Sequence, residues 1–297
     1  MSSQYPNAFS QKFASDVHIQ YQQGASRLKG KLAERSMVGG EAMFLPQVGA
    51  ISSGTSFTRG SDTAYIDTVH ETRKLTATPT RWADLIDMPD RNRSVADFLG
   101  PYVEIASAFF GRSYDSTVIA AALDAATAKV NGSTSESSVS LPGSQKVVVN
   151  LSGSNEGLTL AKLIEAKSIL GKNETPMGEQ KYFVHRQEQL DDLLNNVNQV
   201  SDSDFAAVKA LVNGEVNYFM GFEFCPTQLV AVDGSDIAST FAYTRSALVA
   251  GITSAFDARV EQIPTKNYSF QVWCEQDIGA TRVQEEGVVE VLCDQSP

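Results

Sequence analysis

The residues able to do chemistry in this chain are few and scattered. His18, His70 and His185 are its only histidines. None shares a motif with a cysteine or stands beside a Gly-x-Ser-x-Gly elbow, so nucleophilic hydrolysis has no support. His185 lies in the strand-like run YFVHR, where a packed or surface imidazole is favoured over a catalytic base. Residues 24–31, GASRLKGK, have the glycines and lysine of a phosphate-binding loop, but the spacing is one residue too long and Leu32 stands where a hydroxyl would hold magnesium. Asp202, Ser203 and Asp204 offer oxygens to calcium, yet the remaining ligands and the closing glutamate of a calcium hand are missing, which leaves helix capping as their role. The pairs Asp191, Asp192 and Glu285, Glu286 are adjacent in sequence and so diverge on either a helix or a strand. They read as solvated faces or intersubunit ion pairs. Cys225, Cys274 and Cys293 lie far apart without a CxxC pair, as buried thiols of a protein made in a reducing cytoplasm do. No catalytic residue, metal or cofactor is expected.

Composition narrows the field further. A chain of 297 residues with 42% hydrophobic content supports one or two intertwined packed domains. Its apolar runs fall well short of the roughly 20 residues that span a bilayer, and its start lacks a basic region followed by an apolar core; no membrane is expected. The net charge of -11 argues against holding nucleic acid by neutralising phosphates. Residues 1–45 carry five basic against three acidic side chains, so the remainder is at -13, and a basic arm could meet the acidic body of a neighbouring copy. Asn-x-Ser/Thr matches at Asn131, Asn150, Asn173 and Asn267 read as coincidence in such a chain.

What remains to explain is architecture. Residues 1–45 are polar with short apolar patches and read as an arm. Residues 46–79 alternate small polar and β-favouring residues around a turn-rich centre at 54–62, which predicts a long hairpin with exposed edges that needs a partner surface. Gly100 and Pro101 fit the N-cap and first turn of a long helix over 101–129, followed by a Gly/Ser/Thr-rich loop at 132–145 and β character at 147–151. A second amphipathic helix is expected at 158–170, with Leu160, Leu163, Ile164 and Leu170 inward and Gly171 ending it. The segment 181–227 reads as strand 182–184, helix 187–197, a helix capped by Asp202 or Ser203 and carrying Phe205, Val208, Leu211 and Val212, and a strand over 216–224. A helix at 241–251 and strands at 259–263, 268–275 and 288–293 complete the chain.

The order of pieces in 181–227, closing on GEVNYFMGFEF, resembles the central domain of tailed-bacteriophage major capsid proteins, a capsid fold shared with encapsulins. Two further segments are similar to that family: ETRKLTATPTRWADLIDMPDRNRS at 71–94 leading into FFGRSYDSTVIAAALDAA, and FAYTRSALVAGI at 241–252 followed by NYSFQVWCEQDIGATRVQEEGVVEVLCD. The resemblance implies an α+β fold with an N-terminal arm (1–45), an extended β-hairpin loop (46–80), a peripheral domain (81–144) containing a spine helix (101–129), a central axial domain (145–255), and strands at 256–297 that return to the peripheral domain. It implies a shell of hexamers and pentamers enclosing double-stranded DNA, made in the bacterial host cytoplasm and resident in the virion capsid. No helical scaffold segment precedes the arm, so a separate scaffolding protein is implied beside a portal and, in some shells, decoration proteins. An encapsulin-type nanocompartment is the alternative, and an enzyme of unrecognised type a remote third. Phe57 and Arg59, the large apolar and the basic side chain of the hairpin tip, are the candidate intersubunit contacts. Some relatives cross-link through a hairpin lysine, but no lysine lies between Lys31 and Lys74, so noncovalent assembly is expected.

Overall fold

A helix of 25 residues, α1 (Leu99–Leu123), about 37 Å long at 1.5 Å per residue, organises the computed structural model, which describes residues 19–295 apart from 38–39, 52–53, 55–58, 61, 63–64, 67, 89–98, 131–132, 177 and 197–216. Ala106, Phe110, Tyr114, Val118 and Ala122 recur every fourth residue and are all buried, forming a single stripe. The expected helix over 101–129 is corrected at both ends. Gly100 lies inside the helix, and after Leu123 the chain turns into strand β5 (Ala126–Val130). The alanines of 120–128 suit a helix as well as a strand. What decides is pairing with the strand at 70–76 and the burial of Ala126 and Ala128.

The stripe of α1 lies on a long two-stranded ribbon made by β12 (Leu248–Ile263) and β13 (Ser269–Arg282). Their antiparallel register runs from Leu248↔Arg282 to Ile263↔Ser269 with two irregularities near Ser254. Strand β4 (Thr78–Ile86) extends the sheet beyond β13, and β1 (Ala33–Ser36) joins β12 in parallel. Here the expected helix at 241–251 is corrected to strand, turn and strand. Strand β11 (Ile237–Thr244) ends there, a turn occupies 245–247, and β12 begins at Leu248. Phe241, Ala242 and Tyr243 are fully buried, and a short apolar run of that kind has no periodicity to separate helix from strand.

A six-stranded sheet forms the second layer, in the order β7 (Lys146–Val147), β14 (Val288–Asp294), β11, β8 (Lys181–His185), β10 (Phe222–Pro226) and β9 (Tyr218–Phe219). Helices α2 (Leu160–Lys172) and α3 (Gln187–Asn196) cover one face, where Leu163, Ala166, Leu170, Leu190 and Leu193 meet Phe183, Phe222 and Phe224. Three expectations change. The strand expected over 216–224 is a tight hairpin, because Met220 and Gly221 both take left-handed backbone, φ 53 and 93. Gly171 does not end α2, which runs on to Lys172 with Thr159 as its N-cap, and Ile164 is exposed rather than inward. The loop expected at 132–145 contains a strand, β6 (Ser137–Val139), and buries Leu141 and Gln145, while β structure after it is limited to β7. The helix expected over 205–212, with its caps Asp202 and Ser203, lies outside the described residues.

The third sheet is β2 (Ala42–Val48), β3 (His70–Thr76), β5 and β6 in that order. It reaches the ribbon where Gly251 stands opposite Gly279. A Cβ on Gly251 would overlap Met37 and Leu75, and one on Gly279 would overlap the Thr76 carbonyl. The paired glycines therefore let β1 and the β3–β4 corner close on the ribbon from two sides. Gly279→Ala meets backbone that cannot rotate away and should lower stability by about 2 kcal/mol or more. Gly171→Ala, with open space around it in α2, should raise it by up to about 1 kcal/mol. Chemical denaturation of the two variants checks the contrast, and equal midpoints would contradict it.

Candidate assembly surface

Strands β2 and β3 pair antiparallel from Ala42↔Thr76 to Val48↔His70, and Gly49 N–H donates to Val69 O at 2.8 Å. Continued outward, that register centres on residue 59. Arg59 and Gly60 do form a turn, both exposed, with Gly60 at φ 82. The hairpin thus exists and begins at Ala42, four residues before the expected 46. Phe57, the other proposed contact, lies outside the described residues.

The two ends of the hairpin differ sharply. At its base Leu45 and Leu75 pack with Met37 and Val249 in a closed cluster, and β5 flanks β3. Farther out, Val48 is 66% exposed, Ile51 68%, Tyr65 93%, Ile66 46% and Val69 45%. Five exposed apolar side chains on one hairpin are denser than the scattered exposure of an ordinary exterior. Phe256, Val260 and Tyr268 on the ribbon are also exposed.

Charge buried at the base holds the hairpin to the body. Arg73 of β3 pairs with Glu285 at 2.9 Å, and its Nε donates to Val283 O at 3.3 Å; Gln47 of β2 also donates to Val283 O. Arg282, with no exposure at all, faces Glu285 at 3.8 Å from its Nε. Its Nη1 donates to Ala122 O at 2.7 Å and Asp124 O at 2.9 Å, and its Nη2 to Val139 O at 3.0 Å. A cation thereby satisfies carbonyls left open at the C-terminal end of α1, where the helix dipole favours positive charge. Burial works against the Arg282 charge and lowers its pKa, while Glu285 supports it.

A second anchor fixes the chain on its way into β1. The buried Asp115 carboxylate of α1 accepts from Ser26 Oγ at 2.5 Å, Arg27 N at 2.8 Å, Leu28 N at 3.1 Å and Gln23 Nε2 at 2.5 Å. The segment once compared with a phosphate loop is therefore occupied by the protein's own carboxylate. Leu28 and Leu32 then enter the main core, and Lys31 pairs with Glu223 at 2.7 Å. The arm expected over 1–45 is corrected accordingly: residues 28–37 belong to the body.

The remaining chemistry-bearing residues are structural and dispersed. His185 is buried in β8, stacked near Phe183 and Phe224, and its Nδ1 bonds Arg186 O at 2.7 Å. Asp192 accepts from Leu158 N at 3.3 Å and Asp191 from Gln187 at 3.3 Å, so they form no dyad. Of the glutamate pair Glu285 is buried and faces Arg73 and Arg282 of its own chain, while Glu286 is exposed. The three cysteines are free and buried. His70 opens β3 and His18 lies outside the described residues. Among the described residues no cluster of metal-binding side chains occurs, and no helix is long and apolar enough to cross a membrane. Sequence reading missed Asp115, Arg73 and Arg282. The one available signal was an arginine ending the otherwise uncharged run IGATR.

Comparison with known proteins points one way. A family model described as phage capsid protein matches residues 5–295. The capsid structure of cyanophage P-SCSP1u superposes with a TM-score of 0.73 at 15% identity, covering 97% of this chain and 94% of its own. A structure from Mycobacterium phage Che8 gives 0.70 at 13% identity with coverages of 97% and 98%, and the capsid of Ralstonia phage GP4 gives 0.70 at 13% with 100% and 98%. Among curated proteins none matches the sequence significantly.

Two outcomes follow from the buried groups. Glu285→Gln leaves the buried Arg282 without a carboxylate and Arg73 with only Glu71 at 3.6 Å, and should cost about 3 kcal/mol in urea unfolding; a loss below about 1 kcal/mol would contradict the network. For His185, burial pulls the pKa down from 6.5 to about 4. The unfolded chain then takes up its proton first as pH falls. The effect is absent above pH 6.5, grows below it and is complete near pH 4, reaching about 3 kcal/mol at 1.36 kcal/mol per unit. His185→Leu should flatten the pH dependence of the unfolding midpoint across that window, and parallel curves for the two proteins would show the imidazole is not the cause.

Proposed function

This chain belongs to the phage capsid protein family, and we propose that it closes an icosahedral shell around packaged double-stranded DNA by laying its hairpin on neighbouring copies in hexamers and pentamers. It is a structural protein of the virion capsid that assembles with itself, not an enzyme. An encapsulin-type compartment is not favoured by the family match or by the capsid structures it resembles.

The observation that carries the reading is the uncovered outer half of the hairpin. Covering Val48, Ile51, Tyr65, Ile66 and Val69 at roughly 1–2 kcal/mol each gives on the order of 5–10 kcal/mol per hairpin before the entropy of association is subtracted. Closed symmetry lets every copy both offer and cover such a surface. In this reading the hairpin from Ala42 to Thr76 acts as the intersubunit loop, α1 with β4 and the ribbon of 248–282 as the peripheral domain, and the six-stranded sheet with α2 and α3, which β14 (Val288–Asp294) joins, as the axial domain. What precedes residue 23 is the arm, with Phe57 and Arg59 as tip contacts. The net charge of -11 suits a wall that confines DNA without gripping phosphates. Three free buried cysteines suit synthesis in a reducing host cytoplasm. A separate scaffolding protein, a portal and decoration proteins are proposed as partners.

Removing residues 54–62 should leave a folded, soluble subunit that forms no shells, because the outer hairpin contributes little to the intramolecular core. The combined Phe57→Ala and Arg59→Ala substitutions should lower shell yield. Sedimentation and electron microscopy read both outcomes, and shells in normal yield from the deletion would overturn the assignment. Wild-type particles boiled in detergent and reductant should give a single band near 32.1 kDa; a ladder would refute noncovalent assembly.

A further inference from the structure

One nucleophilic pair stands apart from the assembly surface. Lys31, on the segment that crosses from α1 to β1, places its Nζ 3.1 Å from the Sγ of Cys225 in β10 and 2.7 Å from Glu223 Oε1. The two residues are 194 positions apart. Cys225 itself is fully buried, while the Lys31 side chain keeps 26% of its surface open. The lysine is the exposed end of the pair, and the thiol is closed to bulky reagents. The other thiols differ. The Lys162 amine near Cys293 is held by Glu156 O at 2.6 Å and Leu292 O at 2.9 Å, and the charged neighbour of Cys274 is a carboxylate, Asp257.

We propose that Lys31 and Cys225 form an oxidation-made covalent staple, in which a peroxide joins Sγ to Nζ and locks the segment at residues 23–37 to the central sheet. In the first step the thiol sulfur attacks the peroxide, whose O–O bond breaks. The sulfur loses two electrons and becomes a sulfenic acid, the peroxide is reduced, and one water leaves. Glu223 and the sulfur hold Lys31 as an ammonium, so one of its protons is delivered to the sulfenic oxygen as the nitrogen attacks the sulfur: an N–H and the S–O bond break, the S–N bond forms, and a second water leaves. The remaining ammonium proton passes to Glu223. The product is a sulfenamide, one S–N bond replacing one S–H and one N–H. Burial raises the Cys225 thiol pKa and the Lys31 charge opposes that rise, so reaction with bulk reagents is slow and the adjacent amine is the group that traps the oxidised sulfur. A protein that leaves a reducing cytoplasm for an oxidising medium meets such an oxidant only after folding.

The full chain is treated with hydrogen peroxide, alkylated in denaturant without reductant, digested, and mapped by mass spectrometry. The expected product is a peptide pair joining Lys31 to Cys225, lighter than its separate parts by two hydrogens and released by a thiol reductant. A pair heavier than this by one oxygen, formed with a second peroxide, would also establish the staple. Lys31→Arg keeps the positive charge beside Glu223 but cannot attack, so it should give no pair and a higher yield of Cys225 sulfinic acid. The treated wild type should unfold at a higher temperature than the untreated protein, and Cys225→Ser should show no such rise. The proposal is overturned if Cys225 is recovered as a free thiol at a peroxide dose that oxidises the unfolded chain. It is equally overturned if Cys225 is recovered over-oxidised with Lys31 unmodified and the Lys31→Arg protein behaves identically.

Discussion

A guanidinium with no exposure to solvent, that of Arg282 at the end of α1, is the constraint on which the arrangement of the other elements depends. Stripped of water, it must be surrounded by acceptors, and the carbonyls of Ala122, Asp124 and Val139 together with Glu285 supply them. The three carbonyls come from the last turn of the helix, the segment just after it, and β6. Satisfying one charge thus decides where the helix stops and where the third sheet begins. Because Glu285 also holds Arg73, the same charge fixes the root of the hairpin. Removing Glu285 would leave Arg282 without a carboxylate in a low-dielectric interior.

Beyond that root the forces change character. The hairpin's inner half is held by apolar packing and buried ions, while the described residues farther out, Val48, Ile51, Tyr65, Ile66 and Val69, present apolar side chains to water. In a solitary molecule this is a liability, both for solubility and for strand edges open to pairing. In the proposed shell the same surface is what neighbouring copies would cover. The Asp115 clamp holds the N-terminal segment, fixing residues 23–28 against the middle of α1.

What the sequence revealed and what it hid divide along physical lines. The long helix, the hairpin with a turn at residues 59–60, and the buried thiols were legible, since each rests on helix-start signals, turn chemistry or residue type. The resemblance of 181–227 to capsid proteins was legible too, although one of its strands is really the β9–β10 hairpin. Residues 241–251 were misread because an apolar run buried on both sides has no period of its own. The alanine-rich exit of α1 was misread because its partners are distant in the chain: the strand at 70–76 that pairs β5, and Arg282 some 160 positions on. Buried charges such as Arg73, Arg282 and Asp115 are invisible in one dimension, since their partners are backbone groups and side chains far along the chain.

Hydrogen exchange compared between unassembled subunit and closed shell tests the central claim most directly. Amides of 42–47 and 70–76, at the anchored root, should exchange slowly in both states. Those of 49–69 should exchange rapidly in the free subunit and become protected in the shell. Equal protection of 49–69 in both states would mean that the hairpin finds its cover within its own subunit, and would contradict the account.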